Sequence, residues 1–406
     1  MDWNDSPQQA EFRAGVRQLI AEKLPARYRG SEGVEGDGDG VEWMVDRRSK
    51  DPDAQAAAAE WAKAISERGW IAPHWPVEYG GAGLSPIEQM IYNQEMAMAA
   101  APRRVGGQGV SQFGPTLVVH GTPEQKKEHI PKILAGEAIW AQGFSEPGAG
   151  SDLASLQTRA TRDGDFYVIN GQKIWTSGGH LADWLYVLVR TDPEAPKHRG
   201  VSFVMMDKTT PGITVRPLVN MAWVHHFNEV FFEDVRVPVA NRIGEENRGW
   251  YVSMTLLDYE RSNITGAVSA RRQLRRLIDY VNGDGKAQSR VSEYPSIRSA
   301  VADRYIESEV LFNFSFRIIS MQERGMIPNY EASVNKLFNS ELQQRLANTG
   351  MKALGLHSNI WDETRAPIKA TFTKAYCVTV SSTIAAGTSE IQRGIIATRG
   401  LGLPRG

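Results

Sequence analysis

Residues 165–190 read DFYVINGQKIWTSGGHLADWLYVLVR. Two runs rich in β-branched and aromatic residues, 165–170 and 184–190, stand either side of a glycine-rich stretch. Similar short runs follow at 201–206, 213–217 and 230–232, with Gly, Pro and Asp between them. That rhythm predicts an antiparallel sandwich or barrel. Within it, Asn170-Gly171 favours a type I′ hairpin turn. A strand after that turn presents Trp175 and Ser177 on one face.

Outward from this block the character is helical on both sides. Ser6-Pro7 opens a helix, with Ser6 as N-cap, Pro7 in the first turn and Phe12, Val16, Leu19 and Ile20 at helical spacing. The acidic stretch SEGVEGDGDG (31–40) reads as a loop, and helical composition resumes over 52–68. Thr122 and Gln125 form a capping box. From Gly249 the helical pattern holds to the end, with breaks expected at 282–289, 325–328 and 355–359. Helices and strands are segregated, which argues against a parallel α/β sheet. The expected fold is α+β and multidomain: an N-terminal helical domain (1–137), a central antiparallel β domain (138–247) and a C-terminal helical domain (248–406).

The 406-residue chain is 41% hydrophobic, ample for a large core. Its 46 basic and 47 acidic residues leave a net charge of −1, so no global field draws it to nucleic acid or an anionic membrane. One cysteine, Cys377, cannot make an internal disulfide and fits a reducing cytoplasm. The N-terminus MDWNDSPQQAEFRAG has no basic or apolar leader region, so an export signal is not expected. No apolar run approaches the ~20 residues of a membrane span.

Several patterns resemble sites and fail on chemistry. Gly148-Ala149-Gly150 leads into β structure and has Leu153 where a dinucleotide fingerprint needs Gly or Ala. Asp37-Gly38-Asp39-Gly40 lacks the remaining ligands of a calcium loop. His225 and His226, adjacent on a strand, point to opposite faces. Arg271, Arg272, Arg275 and Arg276 read as a solvated or inter-subunit face.

Three segments carry chemistry. QGFSEPGAGSDL (142–153) is a loop with short polar groups, either a structural turn or a cradle that lets backbone N–H groups approach a ligand. Trp175 beside Ser177 offers a flat, polar-edged ring a stacking surface and a hydrogen-bond donor, or else is a core tryptophan with a satisfied serine. In a helix from Gly249, Glu260 has Leu256, Leu257 and Ile264 one turn away. A carboxylate on that stripe is partly desolvated, which raises its pKa and its usefulness as a base; the alternative is an ion pair with Arg261 or a neighbouring helix.

Together these residues resemble the acyl-CoA dehydrogenase family over essentially the whole chain. FSEPGAGSDLASLQT (144–158), NGQKIWTSGG (170–179), FFEDVRVPVANRIGEENRGW (231–250) and AAGTSEIQR (385–393) occur in the family's order. The resemblance implies N-terminal helices, a central β domain and a C-terminal four-helix bundle, with FAD between the last two. It implies a homotetramer in which a neighbouring subunit completes the site. Phe144 and Ser145 are expected to contact the flavin ring, Trp175 to lie against it, and Ser177 to hydrogen-bond near N5. Ser151 and Arg261 are expected on the acyl-CoA side, and Thr388 and Glu390 near the FAD phosphate and ribose. Arg290 aligns loosely with an arginine that reaches the FAD pyrophosphate of a partner subunit. Lys352 and Leu356 depart from the Gln and Gly usual there.

One departure concerns the catalytic base. Many members carry Glu immediately before the Gly-Thr of the last motif, where this chain has Ala386. A subset similar to isovaleryl-CoA dehydrogenase places the Glu before an arginine in the earlier helix, and Asp258-Tyr259-Glu260-Arg261 matches it. Glu260 is therefore the expected base for α,β-dehydrogenation of an acyl-CoA to a trans-2-enoyl-CoA, with electrons passing to an electron-transfer flavoprotein. Two alternatives share the fold: a non-catalytic subunit of a heterotetramer, and a flavin oxidase or monooxygenase. Gly106, Gly107, Gly109 and Gly114 lie near the region that shapes the family's acyl pocket, and their small size is expected to leave room for a long, branched or ring-bearing group.

Overall fold

Several N-terminal helices begin where a side chain satisfies orphan backbone donors. In the computed structural model, which describes residues 4–29, 41–102, 105–256, 264–283 and 285–404, Ser6 caps α1 (Pro7–Lys23) and pairs reciprocally with Gln9. Helices α2 (Val41–Arg48) and α3 (Pro52–Ser66) follow. Ser85 with Glu88 opens α4 (Pro86–Met98) in the same way. A π-helical turn at Gly109–Phe113 runs into α5 (Gly114–His120), and Thr122 with Gln125 caps α6 (Pro123–Leu134). The expected caps at Ser6 and Thr122 are both present.

The chain then turns to strands: β1 (Trp140–Gly143), β2 (Arg159–Asp163), β3 (Phe166–Lys173), β4 (Trp184–Arg190), β5 (Val201–Asp207), β6 (Ile213–Val219), β7 (His225–Pro238) and β8 (Arg242–Ile243). The order is β6-β7-β3-β2-β4-β5-β8, with β1 beside β4. Pairing is antiparallel except β1–β4 and the single β2–β4 pair, Arg159 with Arg190. The interior of β4 and β5 is almost continuously buried, and it shares one core with Trp43, Trp61, Trp75 and Phe113 of the helical part.

The expected hairpin at Asn170-Gly171 is not there. Both residues lie inside β3, opposite β7, with a bulge between Ile169 and Gly171. The Asn170 side chain is spent on Asp234, whose backbone N–H it accepts at 2.9 Å. A β-carbon at Gly171 would sit 2.6 Å from Thr158 Oγ1, so the glycine serves a close approach of β2 rather than a turn. The strand ends at Lys173, so Trp175 and Ser177 share no strand face.

Beyond β8 come α7 (Gly249–Leu256), α8 (Ile264–Gly283), α9 (Gly285–Glu293), α10 (Pro295–Glu323), α11 (Tyr330–Leu354), α12 (Thr371–Ser382) and α13 (Ser389–Ile395). The expected break at 282–289 is narrower than the sequence suggested, because α9 already begins at Gly285. Helices α8, α10, α11 and α12 bury Leu274, Leu277, Leu311, Leu342, Leu346 and Phe372 in a second core. Gly350 permits it: a β-carbon there would lie 2.1 Å from the Phe372 ring. A third cluster joins Met90 and Ile91 of α4 to Ile264, Val268 and Ile319.

The basic run on α8 is not simply a solvated face. Arg271 pairs with Glu309 and lies 3.4 Å over the centre of the Phe312 ring. Arg272 donates to the Ala97 carbonyl at 2.6 Å, tying α8 to the end of α4, while Arg275 pairs with Asp279 along the helix. Among the described residues no helix is long and apolar enough to cross a membrane, and no cluster of His, Cys, Asp or Glu could hold a metal ion. The Asp37–Asp39 pair lies outside the described residues.

Candidate active site

Strand β1 delivers Phe144 and Ser145 to the edge of the sheet. Phe144 is buried and packs edge-on against Tyr186 and Phe203, each 5.9 Å away. Ser145, half-buried, accepts the Ile174 N–H at 2.9 Å through its carbonyl. That bond joins the loop after β1 to the chain leaving β3 and brings the backbones of residues 145 and 174 together.

A buried ion pair stands behind the same junction. Lys173, with no exposed surface, donates to the Phe144 carbonyl at 3.0 Å and to Glu146 Oε1 at 2.8 Å. Glu146 also accepts the backbone N–H groups of Gln157 (2.6 Å) and Thr158 (2.9 Å). Burial pushes the Lys173 ammonium down to about 8. Burial also acts to raise Glu146, and the ammonium and the donors from 157 and 158 outweigh it, leaving the carboxylate below its ordinary value. The pair is thus ionised at neutral pH. Neither residue stood out in the sequence, although both lie inside the motifs.

The loop itself is open. Neither Gly148 nor Gly150 has a positive φ, and a β-carbon at either would meet nothing within 4 Å. Their small size is therefore not demanded by a tight turn in this chain. Ser151 is exposed at the loop's far end, and Asp152 pairs with Lys197 at 3.0 Å.

Trp175 is 56% exposed and has φ +61°. A tryptophan in the left-handed region costs on the order of 1–3 kcal/mol and needs neighbours that over-determine it. They are present: Thr176 N–H donates to Asn228 O at 3.0 Å, Gly178 N–H to His226 O at 2.8 Å, and Asn228 Nδ2 to Thr176 O at 2.9 Å. Ser177 is half-buried beside them. The indole meets the Phe227 ring edge-on at 5.7 Å and leaves its remaining surface outward. His225, though exposed, stacks its ring on His180 at 3.9 Å.

The C-terminal candidates stand on the helical part. Thr388 caps α13, accepting Ile391 N–H at 3.2 Å. Glu390, in the first turn, is held below its ordinary pKa by backbone N–H donation and by the Thr388 hydroxyl. Glu390 borders a cavity of about 460 Å³ shared with Glu341, Arg345 and Arg393. Ala386 and Gly387 both have positive φ, and Lys336 Nζ holds the Gly387 carbonyl at 2.6 Å. Arg290, on α9, donates to the Lys352 carbonyl at 3.0 Å and borders a second cavity of about 520 Å³ with Tyr280, Leu356 and Arg365. These two clusters pack on α11 rather than on the sheet. Glu260 and Arg261 lie outside the described residues, between the end of α7 and the start of α8.

The glycines expected to open an acyl pocket do not leave space. A β-carbon at Gly114 would lie 2.1 Å from the Trp75 ring and one at Gly109 2.7 Å from Trp140. Gly106 and Gly107 are closed off by Val110 and Met44. These positions are small because indole and thioether groups fill the room.

Models of the acyl-CoA dehydrogenase N-terminal, middle and C-terminal domains match residues 40–137, 141–235 and 247–401. The chain belongs to the acyl-CoA dehydrogenase family. It is 34% identical over 402 residues to acyl-CoA dehydrogenase IpdE1 of Mycobacterium tuberculosis, covering 97% of this chain and 98% of that one. Among solved structures it is similar to the "Tcur3481-Tcur3483 steroid ACAD", at 33% identity and TM-score 0.84 over the full length of both chains. It is also similar to the ChsE4-ChsE5 complex from Mycobacterium tuberculosis, at 33% identity and TM-score 0.82, again over both full chains. The acyl-CoA dehydrogenase fold and the family's oxidoreductase activity follow, and the expected helical, β and helical order stands.

Proposed function

We propose that this acyl-CoA dehydrogenase binds FAD against Phe144, Ser145, Trp175 and Ser177 and uses Glu260 to remove the α-proton of an acyl-CoA. The observation that supports the reading is the Ser145–Ile174 backbone bond, which brings two motifs far apart in sequence against each other. The residues fit the group. An outward indole offers a stacking plane, two half-buried serine hydroxyls offer polar contacts, and Gly148 and Gly150 leave an open approach. Bound there, FAD supplies the two-electron acceptor for hydride from the β-carbon. Thr388 and Glu390 serve the phosphate and ribose end, Arg290 reaches the pyrophosphate of a second subunit, and Ser151 and Arg261 face the CoA thioester.

Glu260 takes the α-proton, in place of the carboxylate that Ala386 lacks. In the sequence, Leu256 and Ile264 stand at helical spacing on either side of it, as expected for a base on an apolar stripe. The product is a trans-2-enoyl-CoA, with electrons passing on to an electron-transfer flavoprotein, in the cytoplasm. The test is direct: the purified chain should carry a flavin absorption band that bleaches under anaerobic acyl-CoA. A chain that stays colourless after incubation with FAD would refute it.

A second reading concerns assembly. Exposed Ile306 of α10, Val380 of α12, Ile384 after α12 and Ile391 of α13 add apolar surface to the helical part. Such surface favours burial between subunits. The paired names of the steroid dehydrogenase and of the ChsE4-ChsE5 complex support a heterotetramer beside the homotetramer. Similarity to the steroid dehydrogenase favours a bulky, ring-bearing acyl group. Light scattering of the chain purified alone separates the two assemblies, and an acyl-CoA panel tests the substrate class.

A further inference from the structure

Asn228 is a fully buried polar residue of β7, directly behind the segment that carries Trp175 and Ser177. It cannot touch a ligand. Its carbonyl accepts the Thr176 N–H at 3.0 Å, and its side-chain amide donates to the Thr176 carbonyl at 2.9 Å. One residue thus holds both backbone polar groups of Thr176, and the chain must reach that position through the left-handed Trp175.

The rest of the amide is also committed. Its second N–H meets His180 Nδ1 at 3.2 Å, and its oxygen meets His225 Nε2 at 2.9 Å. Only one orientation works, because the inverted amide would turn its oxygen toward the Thr176 carbonyl. That orientation fixes both imidazoles: His180 keeps Nδ1 bare as acceptor, and His225 carries its proton on Nε2 as donor. The stacked rings, 3.9 Å apart and 23° from parallel, close the network over Asn228.

We propose that Asn228 is a positioning residue for Trp175 and Ser177, acting through Thr176, and that His225 sets the orientation of its amide. The inference rests on the reading that Trp175 and Ser177 face the flavin. Buried amides with every donor and acceptor engaged fix a single geometry, and the loss of one partner leaves a polar group unpaired at Asn228, which has no exposed surface. An aspartate at 228 would set an acceptor against the Thr176 carbonyl and against His180 Nδ1, both of which need a donor.

The experiment is FAD titration into the FAD-stripped full chain, followed by tryptophan quenching and by the visible flavin spectrum. Asn228→Asp should weaken FAD binding by about tenfold or more and alter the flavin band, since an unpaired buried polar group costs about that factor. His225→Leu should act in the same direction. His225→Gln should restore binding, because the Gln Nε2 amide takes the place of the imidazole Nε2–H; a merely structural loss of packing would not be rescued so. If Asn228→Asp does not fold, the two His225 variants decide the matter. Binding within about twofold of wild type in Asn228→Asp and His225→Leu, with an unchanged spectrum, overturns the inference and leaves the flavin reading standing. A wild-type chain that takes up no FAD overturns the flavin reading, and this inference with it.

Discussion

Lys173 Nζ sits 2.8 Å from Glu146 Oε1 with neither side chain open to solvent, and the same ammonium holds the Phe144 carbonyl at 3.0 Å. The pair clamps the loop after β1 to the end of β3. Removing one partner strands the other charge in the interior, a loss of about 3–5 kcal/mol. Lys173→Met and Glu146→Gln should each lower the denaturant midpoint sharply. The double variant should lose less than the sum of the two. Additive losses in that cycle would show that the two groups do not act as a pair.

The glycines divide into two classes with opposite expected behaviour. Gly114→Ala drives a methyl into Trp75, and overpacking of this kind costs about 1–3 kcal/mol. Gly148→Ala meets nothing in the chain, so stability without ligand should stay within about 0.5 kcal/mol of wild type. If the loop is a ligand cradle, the same Gly148 variant weakens binding of FAD or acyl-CoA. Thermal unfolding of the FAD-free protein, set beside titration of both ligands, checks each arm.

His180 gives a pH dependence with a defined sign. Burial, together with His225 and His226 on β7 and Lys208, whose Nζ holds the His180 carbonyl at 2.9 Å, lowers its pKa from 6.5 to about 4. Above pH 6.5 the ring is neutral in both folded and unfolded chains. Between 6.5 and about 4 the unfolded chain binds the proton and the folded one does not, so stability falls as pH falls through that window. His180→Asn, whose Oδ1 takes the place of Nδ1 as acceptor, should flatten this part of the profile. An unchanged slope in melting temperature against pH would contradict the assignment.

Much of the architecture was legible because its signals are local. The caps at Ser6 and Thr122 and the strands from 184 and 201 depend on residues that are neighbours in the chain. The misreadings at Asn170-Gly171 and at the glycines 109 and 114 involved partners far away in sequence. Asn170-Gly171 looked like a turn because nothing local reveals that Thr158 and Asp234 approach it across the sheet. The glycines at 109 and 114 looked like open space because the rings that fill it come from Trp140 and Trp75. Asn228 and the Glu146–Lys173 pair escaped for the same reason, since a buried polar group is defined by its partners.

The outward, left-handed Trp175 supplies another expectation. Trp175→Ala removes a largely exposed side chain and relieves none of the Thr176 bonds, so the fold should tolerate it with little change in melting temperature. Flavin binding should weaken, and quenching of protein fluorescence on FAD addition should drop. Full quenching in the variant would place the indole elsewhere.

The central claim is that Glu260 performs the proton abstraction that Ala386 cannot. The most direct measurement is anaerobic stopped-flow bleaching of the flavin in Glu260→Gln, with whichever acyl-CoA bleaches the wild type fastest. The account predicts retained FAD and a bleaching rate lower by about a hundredfold or more, the usual scale for loss of a positioned base. Bleaching at the wild-type rate with FAD bound would contradict it.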